Sequence, residues 1–204
     1  MRQRYAVERA VSDAASWNAE IKARAATAEE AYAKAQKSKE AVLKSLVENG
    51  AKASDVAFSN PQVFPVLKME KGERTNIIEG YTCSMRLGYA TSDVVLASRL
   101  AEKAAELISR GVDISSGQPE FYYTKLEELK LALIGKASAN ARERALKLTQ
   151  SGGSKLGGIV SASQGIFQIT RPLSNDTSDY GLYDTSSVEK DVRCVVTVSF
   201  EVEK

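Results

Sequence analysis

The 204-residue chain carries 28 basic and 26 acidic residues, a formal net charge of +2, and is 43% hydrophobic and 26% charged. That is the balance of a globular protein with one large domain or two small ones sharing a core. It offers no electrostatic reason for nucleic acid or an anionic membrane surface to be the main partner.

No segment approaches the roughly 20 apolar residues that a membrane-spanning helix needs. Met1-Arg2-Gln3-Arg4 is basic, but Glu8, Arg9 and Asp13 interrupt any apolar stretch behind it, so it does not read as a signal peptide. Histidine is absent, which removes Ser-His-Asp and Cys-His pairs and every His-based metal site. The cysteines, Cys83 and Cys194, make no CxxC and read as buried thiols. A disulfide between them would require neighbouring strands.

Residues 5–11 read as a short strand. In residues 16–25, Trp17, Ala19, Ile21 and Ala23 alternate with polar neighbours, the period of a half-buried strand. Thr27 then caps a helix, and Glu30 completes a capping box. Ala31, Ala35, Val42, Leu43, Leu46 and Val47 line one face until Asn49-Gly50 stops it. Residues 56–68 are extended, and Pro61 and Pro65 mark them as an edge or bulged strand. Lys71-Gly72 turns the chain into a return arm over residues 76–90. Ser92 opens a second helix with Asp93 in its first turn, and Val95, Leu96, Leu100, Ala104, Leu107 and Ile108 supply its apolar face. Gly111 ends it, and residues 112–125 form the next strand, bent at Gly117 and Pro119.

From residue 16 to residue 125 the order is β-α-β-β-α-β, the split βαβ arrangement of ferredoxin-like folds. A third helix from Leu126 to about Gln150 follows, then a strand over residues 158–171, a polar loop over 172–187 and a last strand over 188–203. In that strand Val192, Cys194, Val196, Val198, Phe200 and Val202 alternate strictly, so one face is expected to be buried. The fold class is therefore α/β (α+β): a ferredoxin-like βαββαβ unit with an extra N-terminal strand over residues 1–125, and a helix with antiparallel C-terminal strands over 126–204. The second part is too small to bury a core alone, so it packs on the first unit or pairs with the opening strand.

No stretch presents a catalytic or cofactor motif. Gly152-Gly153-Ser154-Lys155-Leu156-Gly157 is rich in glycine, but it follows a helix and precedes a strand. A phosphate loop needs the reverse order, so these glycines read as a helix stop. The loop around Asp176, Asp179 and Asp184 departs from EF-hand spacing and reads as solvated and mobile. Its tyrosines, Tyr180 and Tyr183, make it a candidate contact surface between subunits. Trp17 and Phe121-Tyr122-Tyr123 are as readily core as base-stacking platforms. The RNA-recognition signature is reduced to Gly80-Tyr81, so no nucleic-acid partner is expected. Glu127 and Glu128 suit a helix dipole, and Glu143–Lys147 dilutes the basic character of Arg142 and Arg144. Ala137, Ala141 and Ala145 form a stripe of small residues on the third helix, a packing surface within the chain or between chains.

Several short runs share an order with one family. They are Ser12-Asp13-Ala14-Ala15, Thr27-Ala28-Glu29-Glu30-Ala31, Asn49-Gly50 with Ser54-Asp55-Val56, Gly80-Tyr81-Thr82-Cys83-Ser84, Ala139-Asn140-Ala141-Arg142-Glu143-Arg144-Ala145, and Leu156-Gly157-Gly158-Ile159-Val160. Through them the chain resembles the SIMPL-domain family over most of its length. These are bacterial envelope proteins related to a periplasmic immunogenic antigen and to proteins of oxidative-stress defence. Ser12 departs from the family's proline at the entry to the second strand. The resemblance implies a periplasmic or cell-envelope location, with a signal peptide or N-terminal membrane anchor outside this chain. Relatives assemble into large rings, so it also implies a homo-oligomer. The expected function is a non-enzymatic envelope protein acting through self-assembly or scaffolding, without a cofactor or metal. The alternative is a binding module for a small ligand, peptide or envelope component.

Overall fold

The computed structural model describes residues 4–203. The chain runs through β1 (Arg4–Val11), β2 (Ala14–Ala25), α1 (Ala28–Glu48), β3 (Val56–Phe58), β4 (Gln62–Glu70), β5 (Glu73–Thr91) and α2 (Val94–Glu106). It continues through β6 (Asp113–Ser116), β7 (Glu120–Tyr122), α3 (Leu126–Ser151), β8 (Lys155–Gln164), β9 (Gln168–Thr170), β10 (Leu182–Tyr183) and β11 (Glu189–Glu203). Two compact units result, one formed by Asp13–Phe121 and the other by the opening segment through Ser12 together with the chain from Tyr122 onward.

In the Asp13–Phe121 unit the strand order is β3-β5-β2-β6, with β4 also pairing β5 and β7 pairing β2. The β2–β5, β2–β6 and β3–β5 ladders are antiparallel. This is the ferredoxin-like order, with the strand after the first helix divided into β3 and β4. The period-two pattern of β2 does what it predicts: Ala15, Trp17, Ala19, Ile21 and Ala23 are buried while Asn18, Lys22 and Arg24 face solvent. Val42 and Leu46 from α1 and Leu100 and Ala104 from α2 close over Trp17, Ile21, Leu87 and Tyr89. Each large side chain buried there contributes about 1.5–3 kcal/mol. The Trp17 indole N–H donates to Ser116 Oγ (3.0 Å) and the Gly117 carbonyl (3.1 Å), so its one polar group is satisfied inside the core.

The capping box forms as expected, with Glu30 N–H donating to Thr27 Oγ1 (3.2 Å) and Thr27 N–H to Glu30 Oε2 (3.3 Å). The β4–β5 hairpin turns at Lys71 and Gly72, both at positive φ. The cap of α2 is Asp93 rather than Ser92, its Oδ1 accepting from Leu96 N–H at 2.9 Å. Three extended runs are broken where their turn residues lie. Residues 56–68 split around Asn60-Pro61, residues 112–125 split around Gly117 and Pro119, and residues 158–171 split at Gly165.

In the second unit β11 is the central strand. It pairs antiparallel with β1 on one side, and with β8 and β9 on the other. The opening strand therefore finds its partner at the far end of the chain, and belongs to the C-terminal unit rather than to residues 1–125. Helix α3 lays Leu133, Ala137 and Ala141 on Ala6, Ala10, Ile169, Val192, Cys194 and Val196. Ala137 and Ala141 are thus packing surface inside this unit, where their small side chains let α3 approach the sheet. Ala145 is half-buried one turn further on. Gly152 caps α3 and Gly153 takes φ 71°, which is the backbone stop expected of the glycine pair.

Each unit also extends a two-stranded arm. β2 covers β5 only from Tyr81 to Thr91, so the distal parts of β4 and β5 pair with each other alone. Likewise, among the described residues, β1 covers β11 up to Val196, and beyond it β11 pairs with β8.

Candidate functional site

The chemically distinctive part of the C-terminal unit is the connection between β9 and β11, which carries Tyr180 and Tyr183. It is anchored at several points along its length. The Gln168 side-chain amide donates to the Ser178 carbonyl (2.7 Å) and accepts from Ser178 N–H (3.2 Å), standing in for a strand neighbour. Gly181 takes φ 88°, and a Cβ there would meet Ile166 Cγ2 at 3.0 Å and the Phe167 carbonyl at 3.2 Å, so only glycine lets the segment lie this close. Leu182 and Tyr183 then add a short parallel strand to β9, and Asp184 N–H donates to the Ile169 carbonyl at 2.9 Å.

Beneath the segment lies Lys190, fully buried. Its ammonium donates to the carbonyl oxygens of Asp184 and Ser187 and sits 5.8 Å from the Tyr183 ring centroid. Burial holds its pKa below the ordinary value of 10.5, and the Asp184 carboxylate opposes that shift. The Asp184 carboxyl is itself partly desolvated, which favours its neutral form. Hydrogen bonds from Ser186 and from the Arg171 backbone, together with the Lys190 charge, outweigh this and hold its pKa below the usual carboxylate value. Arg193 donates to the Ser174 carbonyl and anchors the segment's start.

This clamped segment forms one wall of an open groove of about 400 Å³. Leu126 and Lys130 come from the first turns of α3, Ile166 and Phe167 from the turn into β9, and Tyr180 and Tyr183 from the segment itself. The structure thus brings the two singled-out tyrosines to one groove, but in different states. Tyr180 is 97% exposed, whereas Tyr183 is partly covered and lies 6.3 Å, centroid to centroid, from Tyr122. Lys130 Nζ is 5.7 Å from the Phe167 ring and pairs with Glu127 at 2.7 Å. An apolar floor, aromatic walls and one ammonium suit an apolar or aromatic group carrying negative charge.

Other sequence candidates fall elsewhere. Trp17 and Phe121 are buried, so neither offers a face for stacking bases. Cys83 lies in β5 and Cys194 in β11, strands of different sheets, and both are free, buried thiols whose pKa values burial raises. Among the described residues, no group of three or more carboxylates or thiols is placed to hold a metal ion. Lys190 and Gln168 were not anticipated, although a signal for the first was present. Lys190 continues the inward register of Val192, Cys194 and Val196 by one step, so strict alternation placed a lysine on the buried face.

The family model SIMPL, described as a protein of unknown function (DUF541), matches residues 5–200. No curated protein matches the chain.

Proposed function

Because the chain belongs to the SIMPL family across residues 5–200, we propose that it is a non-enzymatic cell-envelope protein that works by assembling with copies of itself. The observation that carries this reading is the pair of two-stranded arms. A ribbon of two strands is marginally stable in water unless a third strand or a packed face supports it. Both arms instead display apolar side chains: Ile77, Ile78 and Met69 on one, Ile159, Val160 and Val202 on the other. Ile159 and Val160 are each 64% exposed. The outer edge of β8 has no strand neighbour among the described residues, and its residues 156–164 include neither a charge nor a proline to blunt it. Such an edge is a template for strand addition. A second copy supplies what the arms lack, and the family's envelope setting and link to oxidative-stress defence are the context in which such an assembly would act.

Light scattering on the eluting protein tests this. The expected mass is a multiple of the single chain, falling to that of one chain in the double variant Ile159→Lys, Val160→Lys. Both side chains are exposed, so circular dichroism of the variant should match the parent. A single-chain mass at every concentration would sink the assembly reading. The second reading, a binding module for a peptide or small ligand, rests on the groove beside Tyr180 and Phe167.

A further inference from the structure

A net charge of +2 spread over 204 residues conceals one local concentration of positive charge. In the ferredoxin-like unit, β2 runs on past the end of β6: their pairing stops at Lys22 with Asp113, so Ala23 and Arg24 lie beyond it. The space left there is a groove of about 400 Å³ walled by α1 and by the turn that follows α2. Lys34 and Lys37 from α1 and Arg110 from the turn line it with cationic side chains, against the one carboxylate of Asp113, while Lys22 and Arg24 border it from β2 with their side chains alternating to the face opposite Ala23. These two are partly neutralised, Lys22 by Glu20 (3.0 Å) and Arg24 by Glu79 (3.2 Å). Lys34 Nζ donates to the Arg24 carbonyl at 3.4 Å, so its charge is not cancelled by that bond. Lys37 and Arg110 form no ion pair among the described residues.

The spacing in sequence matters. Residues 34–37 and 110 come from separate elements, so the convergence is a product of the fold and not of a basic run. Like charges brought together in a concave site repel unless an anion is present, and the cost is relieved when one binds. A guanidinium fork beside ammonium point charges matches the oxygens of a phosphate group better than those of an isolated chloride. The buried side chains of Ala23 and Val112 give the groove a firm floor.

We propose that this groove binds a phosphate-bearing anion, with Lys37 and Arg110 as its uncommitted contacts. The phosphate could be carried by a small soluble molecule or by a lipid headgroup, and the two sources separate experimentally. Calorimetric titration with inorganic pyrophosphate, at low salt and again at physiological salt, measures the first. Co-sedimentation with vesicles of phosphatidylglycerol against vesicles of phosphatidylcholine measures the second. The expected result is binding in at least one arm that weakens tenfold or more in the double variant Lys37→Gln, Arg110→Gln. A charge-matched control away from the groove, Lys52→Gln with Lys155→Gln, should bind within twofold of the parent. All four side chains are exposed, so both variants should keep the parent's melting temperature. Binding equally reduced in both variants would mean general charge attraction and overturn the site, as would no binding in either arm.

Discussion

Replacing Lys190 with methionine isolates what the buried ammonium does, because methionine keeps most of the stem's packing and removes only the charged donor. Two carbonyl oxygens, those of Asp184 and Ser187, lose the same partner. An acceptor left unsatisfied in the interior costs about 1–3 kcal/mol, so the gross loss is about 2–6 kcal/mol. Removing a charge that burial already disfavours returns part of this, and the carbonyls can turn toward water once the segment loosens. A net loss of about 2 kcal/mol should remain, lowering the melting temperature by about 4–8 °C for a chain of this size. The pH dependence carries a distinctive sign. Between the lowered folded pKa of Lys190 and its ordinary 10.5, the unfolded chain binds more protons than the folded one, so the lysine's contribution to stability grows as pH rises. The gap between parent and Lys190→Met should therefore widen as pH rises through that window. Calorimetry across pH, with hydrogen exchange at the Asp184 and Ser186 amides, reads both effects. A variant that melts within a degree of the parent and exchanges those amides no faster would refute the clamp.

Two further outcomes follow from local geometry. Gly80→Ala would place a Cβ 2.8 Å from the Ala25 carbonyl oxygen, a backbone atom held in the β2–β5 ladder; forcing strands apart there should cost about 1–3 kcal/mol, visible as a lower urea midpoint, whereas Gly135→Ala, with open space around it, should not lower it. Cys83 and Cys194, buried and with raised pKa values, should react with a thiol reagent only as fast as the native protein opens, and become fully reactive in denaturant; rapid labelling of both in the native state would contradict their burial.

How much of this was legible depended on the range of the interaction. Thr27 and Glu30 signal a helix start within three residues, and Lys71-Gly72 signals a hairpin within two, so both were readable from sequence. Asp93 and Ser92 are equally good caps by type, and only the backbone direction entering α2 selects between them. Prolines and a glycine marked two of the three broken strands as bent, whereas residues 158–171 read as one strand; whether the chain bends or stops pairing depends on the neighbouring strand. The partner of β1 lies some 180 residues away; the small size of the C-terminal part pointed to the opening strand as one of two alternatives, and no local signal chose between them. The alanine stripe on α3 likewise says that something packs closely and is silent about what. At the site, the tyrosines and aspartates of the 172–187 segment suggested a solvated loop because its anchors, Gln168, Lys190 and Arg193, lie outside it.

The alternation of β11 carries one more consequence. Val192, Cys194 and Val196 are buried, while Val198, Phe200 and Val202 continue the same pattern and are not fully covered. Period-two hydrophobicity reports which face a strand intends to bury, and it cannot say whether the covering element belongs to the same molecule. Within this unit α3 covers the first half of that face, together with Ala6 and Ala10, and Val198 packs partly against the same cluster; further on, among the described residues, the strand pairs with β8. A strand meant to end in solvent has no physical need for two more apolar inward positions, Phe200 and Val202, since charged residues there would suppress strand-edge association. The pattern fits the proposed self-assembly, in which a second copy would cover Phe200 and Val202 on this arm and Ile77, Ile78 and Met69 on the other.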